Sequence, residues 1–377
     1  MDFDFTDDQE SLRDAVHRWV DKGFSFERRH GIAKAGGRTR EVYAELAELG
    51  LTSLAVPEAQ GGMGFGPIEA MVVCEELGRG LVNAPYANGA LVAPALLAAA
   101  PADVQSAWLP KIADASALVV LAHQERAARY RLNHVTTKAV KAGDGWTISG
   151  AKSIVPAGDE ADAFIVPART ADADADAAGI ALFLVAKGAA GLQVRGYPTQ
   201  DGARAAEITL ADTPAALIAL DALPVLETGV DVGLAAVCAE AVGVMDKLVA
   251  ITAEYMNTRK QFGVAISSFQ ALRHRMADVK MQLELGRSMS YYASLKLGEA
   301  PAARRRALAQ AKYQLGNSMR FVGQQCIQLH GGIGVTDEYI GSHYFKRLTM
   351  LEMSFGDTLH QLGEVSSRMQ DTAGVFA

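Results

Sequence analysis

Two short stretches carry residue types able to handle a large phosphorylated ligand. The first is RKQFG, Arg259 to Gly263, with the pair Phe269 and Gln270 just beyond it, inside YMNTRKQFGVAISSFQALRHRMAD, Tyr255 to Asp278. The second is QLHGGIG, Gln328 to Gly334. A guanidinium beside a tight glycine turn offers a fork of donors to phosphate, and a glycine pair lets a ligand come close to the backbone. Ordinary helix ends capped by Gly263 and by Gly331 and Gly332 would use the same residue types.

Other reactive residues form no pattern. His274, His330, His343 and His360 lack metal-ligand spacing and read as surface or packing histidines, so no metal is expected. Cys74, Cys238 and Cys326 are scattered, which fits a reducing compartment. GGMGFG, Gly61 to Gly66, has a phosphate loop's glycine count but neither a preceding strand nor the lysine. The basic run ARRRAL, Ala303 to Leu308, is expected to face solvent.

Composition narrows the class. Half of the 377 residues are apolar and 21% are charged, as in an ordinary globular chain. With 36 basic and 43 acidic residues the net charge is -7, which argues against nucleic acid as the main partner. The apolar run Ala90 to Ala100 is too short to cross a bilayer, so no membrane insertion is expected. The N-terminus MDFDFTDDQE is acidic and unlike a secretory signal, which points to a cytoplasmic protein.

The elements that must position these residues fall into three blocks. Residues 1–115 read as helices: Phe5, Leu12, Val16 and Trp19 keep helical spacing, and Thr6 with Gln9 forms a capping box. Further helical patterns span Glu41 to Leu49 and Pro67 to Leu77, with a glycine-rich loop, Ala55 to Gly66, between them. Residues 116–226 read as a β domain through ALVVLAH, HVTTKAV, GWTISG, DAFIVPA and IALFLVA, with TADADADAA, Thr170 to Ala178, as an exposed hairpin loop. Residues 227–377 return to helices, with stripes from Val232 to Tyr255, Met276 to Leu297 and Leu308 to Leu329 that fit a four-helix bundle. The fold class is α+β, mostly α, with an N-terminal helical domain, a central β-barrel or sandwich and a C-terminal bundle.

This order, together with Tyr255, Arg259, Gln261, Phe262, Gly263, Ile266, Phe269, Gln270, His274, Asp278, Gln328, Gly331, Gly332 and Gly334, resembles the acyl-CoA dehydrogenase family over essentially the whole chain. The resemblance implies FAD as cofactor and an acyl-CoA thioester as substrate. It also implies an electron-transfer flavoprotein as electron acceptor and assembly into dimers or tetramers. Cofactor contacts carried over are Arg259, Gln261, Phe262, Phe269, Gln270, Gln328, Gly331, Gly332, Gly356 and Thr358, with Gln124 and Ile154 on the β domain. The glycine-rich loop Gly61 to Gly66 is expected near the substrate.

Three departures accompany it. Where relatives show Thr-Glu-Pro and a glycine turn, this chain reads AHQERAARYRLN, Ala122 to Asn133, with Gln124 and Glu125 in the corresponding places. Relatives commonly place a tryptophan against the flavin and a threonine near its N5; here those positions fall on Ile154 and Pro156, and proline has neither hydroxyl nor N–H. Family chemistry removes an α proton with a carboxylate as the β hydride leaves for the flavin. One branch carries that base in the loop that is here MSFGDT, Met353 to Thr358, where it falls on Phe355 or Gly356. The nearest carboxylates are Asp357, the candidate base, and Glu352. The other branch carries it at Gly233, with Asp231 close by and Glu240 two turns along.

The segment SHYFKRLTMLEMSFGD, Ser342 to Asp357, resembles small subunits of pimeloyl-CoA dehydrogenases, which pair with a larger homologous subunit. That implies a two-chain enzyme for medium-chain or dicarboxylic acyl-CoA, in which the partner supplies the base. A self-sufficient dehydrogenase using Asp357, a non-catalytic partner subunit and a flavin monooxygenase on the same fold are the alternatives.

Overall fold

The first helix starts as its sequence dictates. The Thr6 hydroxyl accepts the Gln9 N–H while the Gln9 side chain accepts the Thr6 N–H, and Asp7, Asp8 and Glu10 complement the helix dipole. The computed structural model describes residues 4–143, 145–170 and 177–369. Residues 171–176, the centre of the expected hairpin loop, lie outside the described residues.

The helical N-terminal segment comprises α1 (Asp7–Gly23), α2 (Phe26–Lys34), α3 (Arg40–Glu48), α4 (Pro67–Arg79), α5 (Ala93–Leu97) and α6 (Ala102–Ala113). Seven strands follow: β1 (Val119–Leu121), β2 (Lys138–Ala142), β3 (Gly145–Pro156), β4 (Ala163–Arg169), β5 (Ile180–Ala186), β6 (Leu192–Pro198) and β7 (Arg204–Ala219). The C-terminal segment holds α7 (Leu223–Thr258), the short strands β8 (Lys260–Gln261) and β9 (Val264–Ala265), α8 (Gln270–Lys296), α9 (Pro301–His330), α10 (Ile340–Met353) and α11 (Thr358–Ser367). No helix among the described residues is long and apolar enough to cross a membrane.

The chain divides into two compact units. One joins residues 1–30, 67–82 and 234–377; the other joins 31–66 and 83–233. In the first, glycines let α4 and α7 cross with their backbones touching: a Cβ on Gly78 would lie 2.2 Å from the Glu240 carbonyl oxygen. Arg287 of α8 then ties the pair together through Glu75 at 2.5 Å and Asp246 at 2.8 Å.

In the second unit β4, β2, β3, β7 and β5 follow one another by pairing, and β5 pairs back onto β4, so the strands close into a barrel. The seam is thin, since β2 meets β4 through one register pair, Lys138 with Arg169. The β4 strand is buried on both faces, which explains its unbroken apolar run. Its terminal Arg169 is buried too, and donates to the carbonyls of Asn133, Val135 and Ala178.

Three sequence expectations change. HVTTKAV is not strand throughout: the N–H groups of Thr136 and Thr137 donate to Glu125, so β2 begins only at Lys138. The long β7, whose alternation is interrupted by Asp212 at φ 48, was not anticipated. ARRRAL does not face solvent as a run, because Arg304, Ala307 and Leu308 are buried and Arg305 approaches Glu364 at 3.6 Å.

Candidate functional site

Arg259 leaves α7 with its N–H still donating to Tyr255 O, and two residues later the chain reverses. Lys260 pairs with Ala265 and Gln261 with Val264, leaving Phe262 and Gly263 as a two-residue turn at φ 53 and 82. Positive φ at both positions matches a primed hairpin turn, which favours Asn or Gly first and disfavours a bulky ring. Phe262 nevertheless occupies it with 92% of its surface exposed, touching Phe269 edge-on at 6.1 Å between centroids. Arg259 and Gln261 are also exposed, and among the described residues the Arg259 guanidinium has no partner.

A small core holds this hairpin against the second motif. Met256, Ile266 and Leu329 are buried together, with Tyr255, Phe269, Leu272 and Met276 packed around them. Leu329 follows Gln328, so the two motifs that are distant in sequence share one base. His330 locks that end of α9: its Nδ1–H donates to Cys326 O at 2.8 Å, and Nε2 accepts from the Tyr339 hydroxyl at 2.9 Å. Burial pushes its imidazole below the usual range, although the Cys326 bond opposes the shift. His330 is thus a packing histidine.

Gln328, Gly331 and Gly332 are exposed. Gly331 needs its φ of 64 to end the helix, but Gly332 has no positive φ, and a Cβ there would meet nothing within 4 Å. Its missing side chain serves no contact inside the chain, and so leaves room for a ligand to approach. Hairpin and glycine pair therefore offer an exposed guanidinium and an open stretch of backbone, a set of groups that suits the anionic half of a dinucleotide.

The loop between α10 and α11 differs. The Lys312 ammonium donates to Glu352 O at 2.7 Å and Gly356 O at 3.0 Å, and Gln361 donates to Phe355 O at 3.0 Å. Glu352 accepts from the Thr358 N–H at 2.9 Å, the Thr358 hydroxyl at 2.5 Å and Arg320 at 3.2 Å. Asp357 is the N-cap of α11, accepting the His360 N–H at 2.8 Å. Asp357, the candidate base, thus also caps α11, and Thr358 and Gly356, both buried, lie within this hydrogen-bonded loop. Glu352 is equally engaged, Glu240 binds Arg347 at 2.5 Å, and Asp231 is fully buried.

The barrel face is built around an ion pair. Lys152, 0% exposed, donates to Glu125 at 2.7 Å, and the Thr136 and Thr137 hydroxyls add bonds of 2.5 and 2.8 Å. Burial pushes the Glu125 carboxyl up, but Lys152 and the threonine donors outweigh it and hold it at about 2. Burial brings Lys152 down to about 8 against the pull of Glu125. This is a structural pair whose rupture would leave a charge stranded. Beside it the backbone oxygen of Gln124 accepts the Ser153 N–H at 2.9 Å, which brings the chain at Gln124 next to the segment that carries Ile154.

One cluster has metal-like geometry: ligand atoms of His30, Asp337 and His343 lie within 4.8 Å of one another. Sequence spacing could not show it. Arg29 donates to His343 Nδ1 at 2.9 Å, which leaves the proton on Nε2, bonded to Asp337 O at 2.8 Å. Lys346 sits 3.3 Å from the Asp337 carboxylate. Two neighbouring cations and a protonated Nε2 oppose a divalent ion.

Comparison with known proteins agrees with this architecture. Models of the acyl-CoA dehydrogenase N-terminal, middle and C-terminal domains match residues 6–116, 121–212 and 223–370. Acyl-CoA dehydrogenase FadE27 of Mycobacterium tuberculosis is 27% identical over 99% of this chain and 100% of its own. Among solved structures, a Tcur3481-Tcur3483 steroid ACAD superposes with a TM-score of 0.88 at 28% identity, covering 97% of this chain and 99% of the other. The ChsE4-ChsE5 complex of Mycobacterium tuberculosis does so with 0.86 at 26%, covering 98% and 99%. The three consecutive matches span nearly all of the chain and meet the hairpin, glycine pair and barrel just described. The chain belongs to the acyl-CoA dehydrogenase family, FAD-dependent oxidoreductases acting on acyl-CoA.

Proposed function

We propose that this chain is the subunit without the base in a two-chain acyl-CoA dehydrogenase, paired with a larger homologous subunit that supplies the carboxylate. One observation carries the reading: every carboxylate near either family position is engaged or buried. Asp357 caps α11, Glu352 binds Thr358 and Arg320, Glu240 binds Arg347, and Asp231 is inaccessible. The solved relatives named as the Tcur3481-Tcur3483 protein and the ChsE4-ChsE5 complex support a pairing of two chains.

In this enzyme Arg259, Gln261 and Phe262, with Gln328, Gly331 and Gly332, hold the phosphate and adenosine half of FAD. Phe269 supports Phe262 from below, and Gln270 stands at the start of α8 beside it. Held there, FAD would supply the acceptor for the hydride of the β carbon, and an electron-transfer flavoprotein would then receive the electrons. The partner's carboxylate takes the α proton. The substrate is a medium-chain or dicarboxylic acyl-CoA; the likeness to a steroid ACAD makes a steroid-bearing thioester the second candidate.

The test is the absorbance spectrum of the purified chain, alone and co-expressed with a homologous larger subunit, before and after anaerobic addition of these thioesters. Flavin bleaching only in the pair is the expected result. Bleaching by the chain alone would overturn the reading and return Asp357 to candidacy.

A further inference from the structure

The β3 strand pairs with β7 with two register shifts, one between Ile148 and Gly150 and one between Lys152 and Val155, where Ser153 and Ile154 form a bulge. Ile154 sits there at φ 53 with 53% of its surface exposed. A β-branched residue in the left-handed region is strained and persists only where its surroundings fix it. Bulges of this kind commonly re-aim a strand beside a site.

What fixes this one is a carboxylate. Glu207 on β7 accepts the Ile154 N–H through a long contact of 3.4 Å and the Tyr197 hydroxyl at 3.0 Å, both on Oε1. Its other oxygen faces Arg126 at 3.6 Å. Burial pushes the Glu207 carboxyl up, but the Tyr197 and Ser153 hydroxyls, the Ile154 N–H and Arg126 outweigh it and hold it below the usual range. It is therefore ionised at neutral pH.

A flavin ring has one N–H donor, at N3, but around its reactive N5 and O4 edge it presents acceptors, and a surface that carries that edge needs donors. On this bulge the donors are already taken. The Ile154 N–H and the Tyr197 hydroxyl both turn to Glu207, and Pro156 supplies neither an N–H nor a hydroxyl. A fixed negative charge beside an electron-accepting ring also disfavours its reduction.

We propose that Glu207 closes the β3 bulge to a flavin ring, so that the barrel of this chain carries no flavin and the chain meets FAD only through its bundle hairpin. The second clause rests on the hairpin reading above; the first stands on the barrel alone.

Riboflavin is the probe, because it carries the ring without the phosphates and adenosine that the hairpin would hold. Fluorescence titration of the full-length chain is combined with hydrogen exchange of residues 151–157. The wild type should show neither quenching nor protection, and Glu207→Ala should bind at least tenfold more tightly with those amides protected. If the Ala variant does not fold, Glu207→Gln replaces it: the neutral amide can turn an N–H toward a flavin carbonyl, and the same tenfold gain is expected. Wild-type binding that protects residues 151–157, or a variant no tighter than wild type, overturns the proposal. Turnover by the chain alone would sink the two-chain reading instead, and it is read by reduction of bound flavin on adding acyl-CoA rather than by riboflavin affinity.

Discussion

Two turns in the bundle unit share an unusual backbone. Phe262 and Gly263 sit at φ 53 and 82, and Phe355 and Gly356 at φ 56 and 110. Each places a phenylalanine in a left-handed conformation ahead of a glycine, at a cost of order 1 kcal/mol. Their surroundings are opposite. Around Gly263 a Cβ would meet nothing within 4 Å, whereas one on Gly356 would lie 2.5 Å from the His360 ring. The first turn leaves an aromatic ring and an arginine in solvent, while Lys312, Gln361 and Glu352 pin the second. Strain alone does not mark a ligand site. What separates the two is whether the groups around the strain are engaged inside the chain or left facing outward.

Removing Lys312 should give the largest effect on the pinned turn. Lys312→Met strands the carbonyls of Glu352 and Gly356, and each buried acceptor without a donor costs about 1–3 kcal/mol. The ammonium's own burial cost is relieved, so a net loss of about 2–3 kcal/mol in urea unfolding is expected. The same variant tests a pH dependence. Burial lowers Lys312 to about 8 from its ordinary 10.5. Between these values the unfolded chain keeps a proton that the folded chain has released, so the contribution of Lys312 to stability rises with pH across that window, while the buried thiols of Cys74, Cys238 and Cys326, all pushed up by burial, act in the opposite sense above their ordinary range. The difference in stability between wild type and the Met variant should therefore grow from pH 8 to 10.5, and a difference that stays flat across that range would contradict the assignment.

The outward turn should respond in ligand affinity instead. Arg259→Gln removes a charged fork from a phosphate, an interaction worth about 1.5–3 kcal/mol, which corresponds to roughly ten- to a hundredfold weaker FAD binding in the assembled enzyme. Unfolding of the apo chain should be unchanged, since no described residue partners that guanidinium. Equal losses of FAD affinity and stability would erase the contrast between the turns.

The sequence disclosed the outward turn because its residues are contiguous. Arg259, Gln261, Phe262 and Gly263 declare a turn and its chemistry in five positions, and Gln328 with Gly331 and Gly332 do the same at a helix end. The inward turn was opaque because its ties are distant in sequence: Lys312 reaches Gly356 across 44 residues, and on the barrel the β3 bulge was opaque for the same reason, since Glu207 reaches Ile154 across 53. Resemblance to the family located MSFGDT as the loop of interest, and the sequence there has no base at its centre. It could not tell that Asp357 and Thr358 were already engaged. The same limit explains Arg304, whose basic neighbours suggested solvent and whose burial only packing reveals. The barrel's short strands were readable from β-branched runs, but its closure through β4 and β5 was not.

Phe262→Asn carries a smaller effect of opposite sign. Asparagine suits the first position of a primed turn, so the free chain should gain about 0.5–1 kcal/mol in thermal unfolding while FAD affinity falls. A ring kept in a conformation that weakens the fold, with 92% of its surface in water, has its use outside the chain. Loss of stability on this substitution would mean that the contact with Phe269 holds the hairpin, and the turn would then belong with the inward kind.

The smallest effect falls on Asp357, and its smallness carries the argument. As an N-cap, Asp357 accepts the His360 N–H. Its replacement by alanine should cost about 1 kcal/mol, while asparagine, an equally good cap, should cost almost nothing. A catalytic carboxylate shows the reverse ranking of concern, because asparagine removes the base as surely as alanine does. Turnover of the two-chain enzyme should therefore survive Asp357→Asn within about twofold, with stability unchanged. A large fall in kcat for Asp357→Asn without any change in unfolding would place the base on this chain after all. The loop held by Lys312 would then be the rigid mount of a working carboxylate.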